Sequence, residues 1–201
     1  MHTLLVIGAT GMLGQPVVRH ALKAGWKVRV LARNPQQAQQ RFGDSVEIVQ
    51  GDVTDEASLS RAIQGCTAVH VSLQGRTAAE FESVEHQGTA TIARLAAAHK
   101  IERLTYLSGA LVSENTAYVP QERAKYLAEQ AIEQSGVPYT IFRPTFFMES
   151  LPLNVRGKQA SVMGPATKKF RFVAADDYAA LVIKALNTPA AVNQRLRSVH
   201  V

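Results

Sequence analysis

Three glycines stand three residues apart in "GATGMLG", between the apolar run "LLVI" (residues 4–7) and a helical pattern. Glycine destabilises a helix or strand interior by roughly 0.5–1 kcal/mol relative to alanine, so this spacing indicates backbone that something must approach closely. In a strand-to-helix turn, Gly8 allows the tight turn, Gly11 admits a ligand to the backbone, and Gly14 lets the helix pack on the sheet. The first N–H groups of that helix suit a pyrophosphate. The motif therefore predicts a dinucleotide site, with a purely structural glycine turn as the alternative.

The residues after the second apolar run bear on which dinucleotide is bound. A site that prefers NAD places an acidic residue about 20 positions beyond the glycines, where it binds the ribose hydroxyls. From Lys27 to Gly43 the chain has no acidic residue, and Arg33 followed by Asn34 stands at that point. A guanidinium there would pair with a 2′-phosphate in bidentate fashion. The sequence thus predicts NADP(H) rather than NAD(H), with an exposed loop arginine as the alternative.

Short apolar runs rich in β-branched residues recur along the first 143 residues, which is typical of strands buried on both faces of a parallel sheet. These runs are "LLVI", "VRVL", "VEIV", "AVHVSL", "LTYL" and "YTIF". Helical patterns lie between them, after the glycines up to Gly25, over 80–99, and from Pro120 to the "SG" at 135–136. Alternating strands and helices predict an α/β fold, a doubly wound Rossmann-type parallel sheet.

The regular alternation stops after Arg143. "RPTFFMESLPLNVRGK" predicts an irregular excursion, "QASVMG" and "KFRFV" two short strands, "DDYAALVIKALN" a helix, and "RLRSVHV" a closing strand. Because no linker or internal repeat separates the two parts, we expect one NAD(P)-binding domain over 1–201. It comprises a cofactor-binding core at 1–143 and a small substrate or partner lobe at 144–201.

Composition narrows the class of protein. The 201 residues include one cysteine, Cys66, which excludes an internal disulfide framework, and six histidines without metal-ligand spacing. No apolar run approaches the ~20 residues that span a bilayer. The amino-terminal residues lack the basic region and cleavage site of a signal peptide. The expectation is a cytoplasmic protein without a metal site and without membrane association.

The net charge of +6 is concentrated at the carboxyl end, because residues 151–201 carry 8 basic and 2 acidic side chains. Lys168, Lys169 and Arg171 form its densest group. A solvated basic face accounts for this pattern, and a protein or anionic partner is the alternative. Nucleic acid is an unlikely partner by this pattern, since no reading motif accompanies the charge.

Four short motifs resemble the atypical short-chain dehydrogenase/reductase superfamily: "GATGMLG", "LARNP", "GDVTD" and "LSGA". "GVPYTIFRPTFFME" is similar to NmrA-like NAD(P)-binding proteins, and the chain length to the biliverdin reductase B or flavin reductase type. The resemblance implies that Asp52 and Val53 flank an adenine and that Ser72 lines the cofactor. A turn or helix cap is the alternative role for Asp52. The full expected cofactor-binding set is Gly8, Thr10, Gly11, Met12, Leu13, Gly14, Arg33, Asp52, Val53, Ser72, Lys125, Pro144, Thr145 and Phe146.

The same resemblance implies a catalytic serine and a Tyr-x-x-x-Lys pair, which places Ser108 and Lys125 as catalytic residues. Gln121 stands at the usual tyrosine position, and an amide is no general acid at neutral pH. Two functions follow as hypotheses. One is a reductase that passes hydride to a flat conjugated acceptor such as a flavin or quinone, its small-molecule substrate. The other is a non-catalytic NmrA-like redox sensor that binds NAD(P) and regulates a protein or nucleic-acid partner.

Overall fold

The computed structural model describes residues 2–157, 159–160 and 172–197. Seven parallel strands form the main sheet in the order β11-β6-β5-β4-β1-β2-β3. Their bounds are β1 Thr3–Ile7, β2 Lys27–Ala32, β3 Glu47–Gln50, β4 Ala68–Val71, β5 Arg103–Leu107, β6 Tyr139–Arg143 and β11 Gln194–Arg197. The predicted doubly wound α/β sheet is confirmed, and the first six strands coincide with the six apolar runs.

Helices cover both faces of the sheet, which explains why its central strands read as continuous apolar runs. Helices α1, α2 and α7 pack on one face, and α3, α5 and α6 pack on the other. The helix bounds are α1 Gly14–Lys23, α2 Pro35–Phe42, α3 Glu56–Ile63, α4 Ala78–Glu80, α5 Thr89–Ala98, α6 Pro120–Gln134 and α7 Ala175–Leu186. A π-helix, Phe81–Gly88, joins α4 to α5 without a break.

The elements after β6 divide between the main fold and a peripheral region. Helix α7 packs against α1, where Asp176 pairs with Arg19, and β11 extends the main sheet beside β6. Outside that sheet, β7 (Phe146–Phe147) pairs with β10 (Phe172–Val173), and β8 (Val155–Arg156) pairs with β9 (Gln159–Ala160). The expected carboxyl-terminal lobe is therefore built partly into the main fold.

No helix among the described residues is long and apolar enough to cross a membrane. Most of "QASVMG" and "KFRFV" lies outside the described residues, as do Lys168, Lys169 and Arg171.

Candidate functional site

A cleft of about 350 Å³ opens at the carboxyl ends of β1, β2 and β4. The order of the sheet reverses between β1 and β4, and such a switch point is where doubly wound sheets bind ligands. Seven of the expected cofactor-binding residues meet in the cleft, namely Gly8, Thr10, Gly11, Arg33, Asp52, Val53 and Ser72.

Two of the three glycines are required by the geometry of the turn itself. Gly8 has a φ of +88°, which side chains rarely tolerate, and a Cβ on it would lie 2.1 Å from the carbonyl oxygen of Ser72. A Cβ on Gly14 would lie 2.2 Å from the carbonyl oxygen of Gly8. The turn is thus pressed against the end of β4 on one side, and α1 is pressed against the turn on the other.

Gly11 differs from the other two glycines. The nearest atom to a Cβ on it would be the Gly8 carbonyl oxygen, at 3.2 Å, and its φ lies outside the left-handed region. Gly11 lines the cleft, so the space beside it is open to the cleft rather than filled by the protein.

Two backbone N–H groups of the glycine turn are free to bind an anion. Within the described part of the chain, the N–H groups of Met12 and Leu13 have no hydrogen-bond acceptor, and α1 begins at the next residue. Unpaired N–H groups at the positive end of a helix dipole bind phosphate groups. The turn therefore fits the pyrophosphate of a dinucleotide.

Arg33 and Asp52 line the cleft where β2 and β3 end. Arg33 is exposed and makes no hydrogen bond or ion pair with any side chain among the described residues. The Asp52 carboxylate accepts hydrogen bonds from the Thr54 N–H at 2.9 Å and from the Thr54 hydroxyl at 2.7 Å. Burial alone would raise the pKa of Asp52, but these bonds and the charge of Arg33 lower it below its usual range. Asp52 thus both shapes a turn and lines the cleft.

Sequence reasoning missed a second guanidinium, which bonds the backbone of the glycine turn. Arg41, on α2, donates a hydrogen bond of 2.9 Å to the carbonyl oxygen of Thr10. This bond ties α2 to the glycine turn and brings a second positive charge to the cleft-lining backbone. The sequence could have indicated this contact, because Arg41 stands two turns along the helix that follows Arg33.

Lys125 is held by a buried carboxylate. Its Nζ lies 2.9 Å from Oε2 of Glu85, a residue of the π-helix that is 1% exposed. The other oxygen of Glu85 accepts the N–H of Gly75 at 2.7 Å. Because Gln74 and Arg76, on either side of Gly75, line the cleft, this carboxylate connects Lys125 to the cleft wall.

Ser108 takes part in a second buried network. Its hydroxyl donates to Glu129 of α6, and the Arg143 Nε donates to the same carboxylate at 2.9 Å. Neither Ser108 nor Lys125 is among the described residues that line the cleft. Their catalytic roles stay predictions.

Tyr106, beside Lys125, offers no accessible phenol, whereas Tyr118 is 85% exposed. The Lys125 Nζ lies 6.0 Å from the centre of the Tyr106 ring, but Tyr106 is fully buried and burial raises its pKa well above the usual value. Tyr118 precedes α6 in an exposed loop. Gln121, in the first turn of α6, supplies only an amide.

Three carboxyl groups and one ammonium surround the first turns of α6. Burial raises the pKa of Glu122; Lys125 opposes this shift, and Glu85 and Glu129 reinforce it. The Oε2 of Glu122 is shielded from solvent and has no hydrogen-bond partner in the described structure. The structure therefore favours a protonated carboxyl at Glu122 over a wider pH range than in water.

The residues after β6 lie apart from the lining of the glycine-turn cleft. Pro144 lines a second cavity of about 390 Å³, which is mostly apolar and lies between α7, β6 and β11. The Phe147 ring packs edge-on against Tyr178, and Phe146 packs against Phe172. The cofactor contacts expected of Pro144, Thr145 and Phe146 stay predictions, as do those of Met12, Leu13 and Gly14.

No cluster of three or more potential metal-ligating side chains occurs within residues 2–157, 159–160 and 172–197. Cys66 is a free thiol on the amino-terminal side of β4, and burial raises its pKa.

Comparison with known proteins agrees with this geometry. The family model described as "NAD(P)H-binding" matches residues 8–189. A "(4-alkanoyl-5-oxo-2,5-dihydrofuran-3-yl)methyl phosphate reductase" of Streptomyces griseus is 39% identical over 147 residues, covering 73% of this chain and 49% of the relative. The "Photosystem II assembly factor Ycf39" of Cyanophora paradoxa is 34% identical over 151 residues, covering 74% and 47%. The chain spans about half the length of these two curated relatives.

Two further similarities extend over nearly the whole chain. An "NAD(P)H azoreductase" of Xenophilus azovorans is 26% identical over 196 residues, covering 95% of this chain and 65% of the relative. The crystal structure of a triphenylmethane reductase of Citrobacter sp., complexed with NADP(H), superposes with a TM-score of 0.76 at 21% identity, covering 96% and 68%. The glycine turn at the switch point and the family match agree: the chain belongs to the NAD(P)H-binding family.

Proposed function

We propose that this protein is an NADPH-dependent reductase that transfers hydride to a flat conjugated acceptor, such as a flavin or quinone, without the usual catalytic tyrosine. The observation that carries the proposal is the cleft itself. Its lining includes both a glycine turn with unpaired N–H groups and the exposed Arg33. A guanidinium that makes no hydrogen bond or ion pair among the described residues suits a 2′-phosphate, so NADP(H) is the preferred cofactor.

The described residues also fit the absence of phenol chemistry. A bound nicotinamide supplies the hydride. The protein's part is to orient the cofactor through the glycine turn and Ser72 and to hold a positive charge nearby through Lys125. Because Tyr106 is buried and Gln121 has no acidic proton, the acceptor takes its proton from water or from a donor such as Ser108. Acceptors that delocalise charge tolerate this arrangement, whereas simple ketones need a stronger acid.

The names of similar proteins support a reductase of conjugated acceptors. One is named as a reductase of an unsaturated phosphate ester, and another as an azoreductase. The structural neighbour is named as a triphenylmethane reductase. A conjugated electron-poor acceptor is common to these names, and we carry that feature over as the substrate class.

Absorbance of NADPH, followed in the presence of a panel of flavins, quinones and simple ketones, tests this proposal. We expect slow oxidation with flavins or quinones and little turnover of ketones, with activity reduced in Ser108→Ala and Lys125→Ala. Tight NADPH binding without oxidation by any acceptor would contradict the reductase.

A second candidate function has one observation in its favour. A relative is named as an assembly factor, which acts on other proteins. The sensor hypothesis therefore stands as the alternative, with a protein or anionic partner at the basic carboxyl-terminal residues. Loss of such a partner on adding NADPH or NADP⁺ would favour the sensor.

A further inference from the structure

The helix between β4 and β5 changes its winding beside the cleft. It begins as α4, continues as the π-helix Phe81–Gly88, and returns to α-helical winding in α5. Runs of π-helix are rare and occur often at functional sites. Glu85 and Gly88 are the buried residues of this segment, so its winding turns a carboxylate into the protein.

Glu85 binds two different parts of the chain with its two oxygens. One accepts the N–H of Gly75, which follows β4, and the other faces the Nζ of Lys125 on α6. Both contacts are shielded from water, because the side chains of Glu85 and Lys125 are 1% and 10% exposed. A buried carboxylate is costly unless its charge is paired, and here Lys125 pairs the charge while the Gly75 N–H satisfies one oxygen.

Gly75 is held closely on its other side as well. A Cβ there would lie 2.8 Å from the backbone nitrogen of Phe81 and 2.8 Å from its ring. Gln74 and Arg76 extend from this fixed point into the lining of the cleft, and Val84 of the π-helix lines it too. A shift of Glu85 would therefore move the cleft wall.

We propose that Glu85 is a positioning residue: it holds the ammonium of Lys125 and the 74–76 wall of the cleft in one fixed arrangement. The ion pair neutralises a buried charge, and it joins Oε2 of Glu85 to the ammonium by charge rather than by a hydrogen bond. The inference rests on the proposed function in taking 74–76 as a wall of the cofactor site.

Substitutions at Glu85 separate its two contacts. Glu85→Gln keeps an oxygen for the Gly75 N–H but removes the charge opposite Lys125, whereas Glu85→Ala removes both. Glu82→Ala is the matched control, because Glu82 lies on the same π-helix but is exposed and bonds only His86 and Gln87 within the described structure.

Two readouts are needed: hydrogen exchange of the Gly75 amide and the NADPH dissociation constant measured by fluorescence. In Glu85→Ala we expect faster exchange at Gly75 and NADPH affinity lower by about tenfold or more. In Glu85→Gln we expect Gly75 to stay protected while NADPH affinity still falls, which a purely structural role would not produce. Glu82→Ala should change neither readout.

The inference fails if NADPH binds the folded Glu85→Gln variant as tightly as the unaltered protein, or if Gly75 exchange in folded Glu85→Ala is unchanged. In either case the proposed function stands, since the unaltered protein still binds NADPH. If the unaltered protein binds no NADPH, the proposed function is overturned, and this inference with it.

Discussion

Gly11 and Gly14 belong to one motif, yet the same substitution should affect dinucleotide binding at Gly11 and stability of the fold at Gly14. A Cβ on Gly14 would lie 2.2 Å from the Gly8 carbonyl oxygen and 2.8 Å from the Cα of Ala9, both backbone atoms of a tight turn. A Cβ on Gly11 would have no neighbour closer than 3.2 Å. Gly14→Ala should therefore destabilise the fold, whereas Gly11→Ala and Gly11→Val should spare the fold and weaken dinucleotide binding.

The size of the Gly14 effect follows from two opposing contributions. Overpacking costs about 1–3 kcal/mol, and a contact with backbone at this distance belongs at the upper end. Alanine returns up to about 1 kcal/mol of helix propensity. The net loss is about 2 kcal/mol, which for a chain of this size lowers Tm by roughly 4–8 °C.

Thermal unfolding without nucleotide measures the first effect, and fluorescence titration with NADPH measures the second. We expect Gly11→Ala to keep Tm within about 2 °C of the unaltered protein. Gly11→Val should abolish NADPH binding, because a branched side chain would fill the space of the pyrophosphate. A Gly14→Ala variant as stable as the unaltered protein would refute the packing argument, and a folded Gly11→Val variant with full NADPH affinity would make the motif structural only.

Three further predictions concern charge. Arg33→Ala should lower the affinity for NADPH by about tenfold or more and the affinity for NADH little, since a charge-assisted contact contributes about 1.5–3 kcal/mol. Equal losses for both nucleotides would show that Arg33 does not bind the 2′-phosphate, and Arg61→Ala, at an exposed position, is the control. Glu122→Gln should raise the free energy of unfolding at pH 8, and the gain should vanish near pH 4. The pKa of Glu122 is raised in the native fold, so the native fold loses stability as pH rises. Urea unfolding at both pH values tests this, and an equal difference between variant and unaltered protein at pH 4 and pH 8 contradicts it. Burial lowers the pKa of His70 from 6.5 to about 3, so stability present above pH 6.5 is lost as pH falls. At pH 5 the loss is about 2 kcal/mol, and His70→Gln should flatten this slope in urea unfolding; an unchanged slope counts against it.

The local parts of the site could be predicted from the sequence. The glycine spacing predicts a turn in which Gly14 is constrained locally, by the backbone of Gly8 and Ala9, whereas the close approach at Gly8 comes from Ser72 at the end of β4. Arg33 follows a strong strand signal directly, and the absence of nearby acids can be read in the same stretch. Six apolar runs were enough to place the first six strands and hence the position of the cleft.

The long-range pairs could not be predicted. Lys125 meets Glu85 across 40 positions of sequence, and Ser108 meets Glu129 through the packing of α6 against β5. Region 80–99 was expected to be an ordinary helix, because no residue pattern distinguishes a π-helical turn from an α-helical one. The buried carboxylate of this segment, Glu85, has its charge partner on α6, which local propensity does not reveal.

Calorimetric titration of the unaltered protein with NADPH and, separately, with NADH tests the central claim most directly. The exposed Arg33 in the lining of the glycine-turn cleft predicts one NADPH site per chain, with affinity about tenfold or more above that for NADH. Binding of neither nucleotide, or equal affinity for both, would contradict the account.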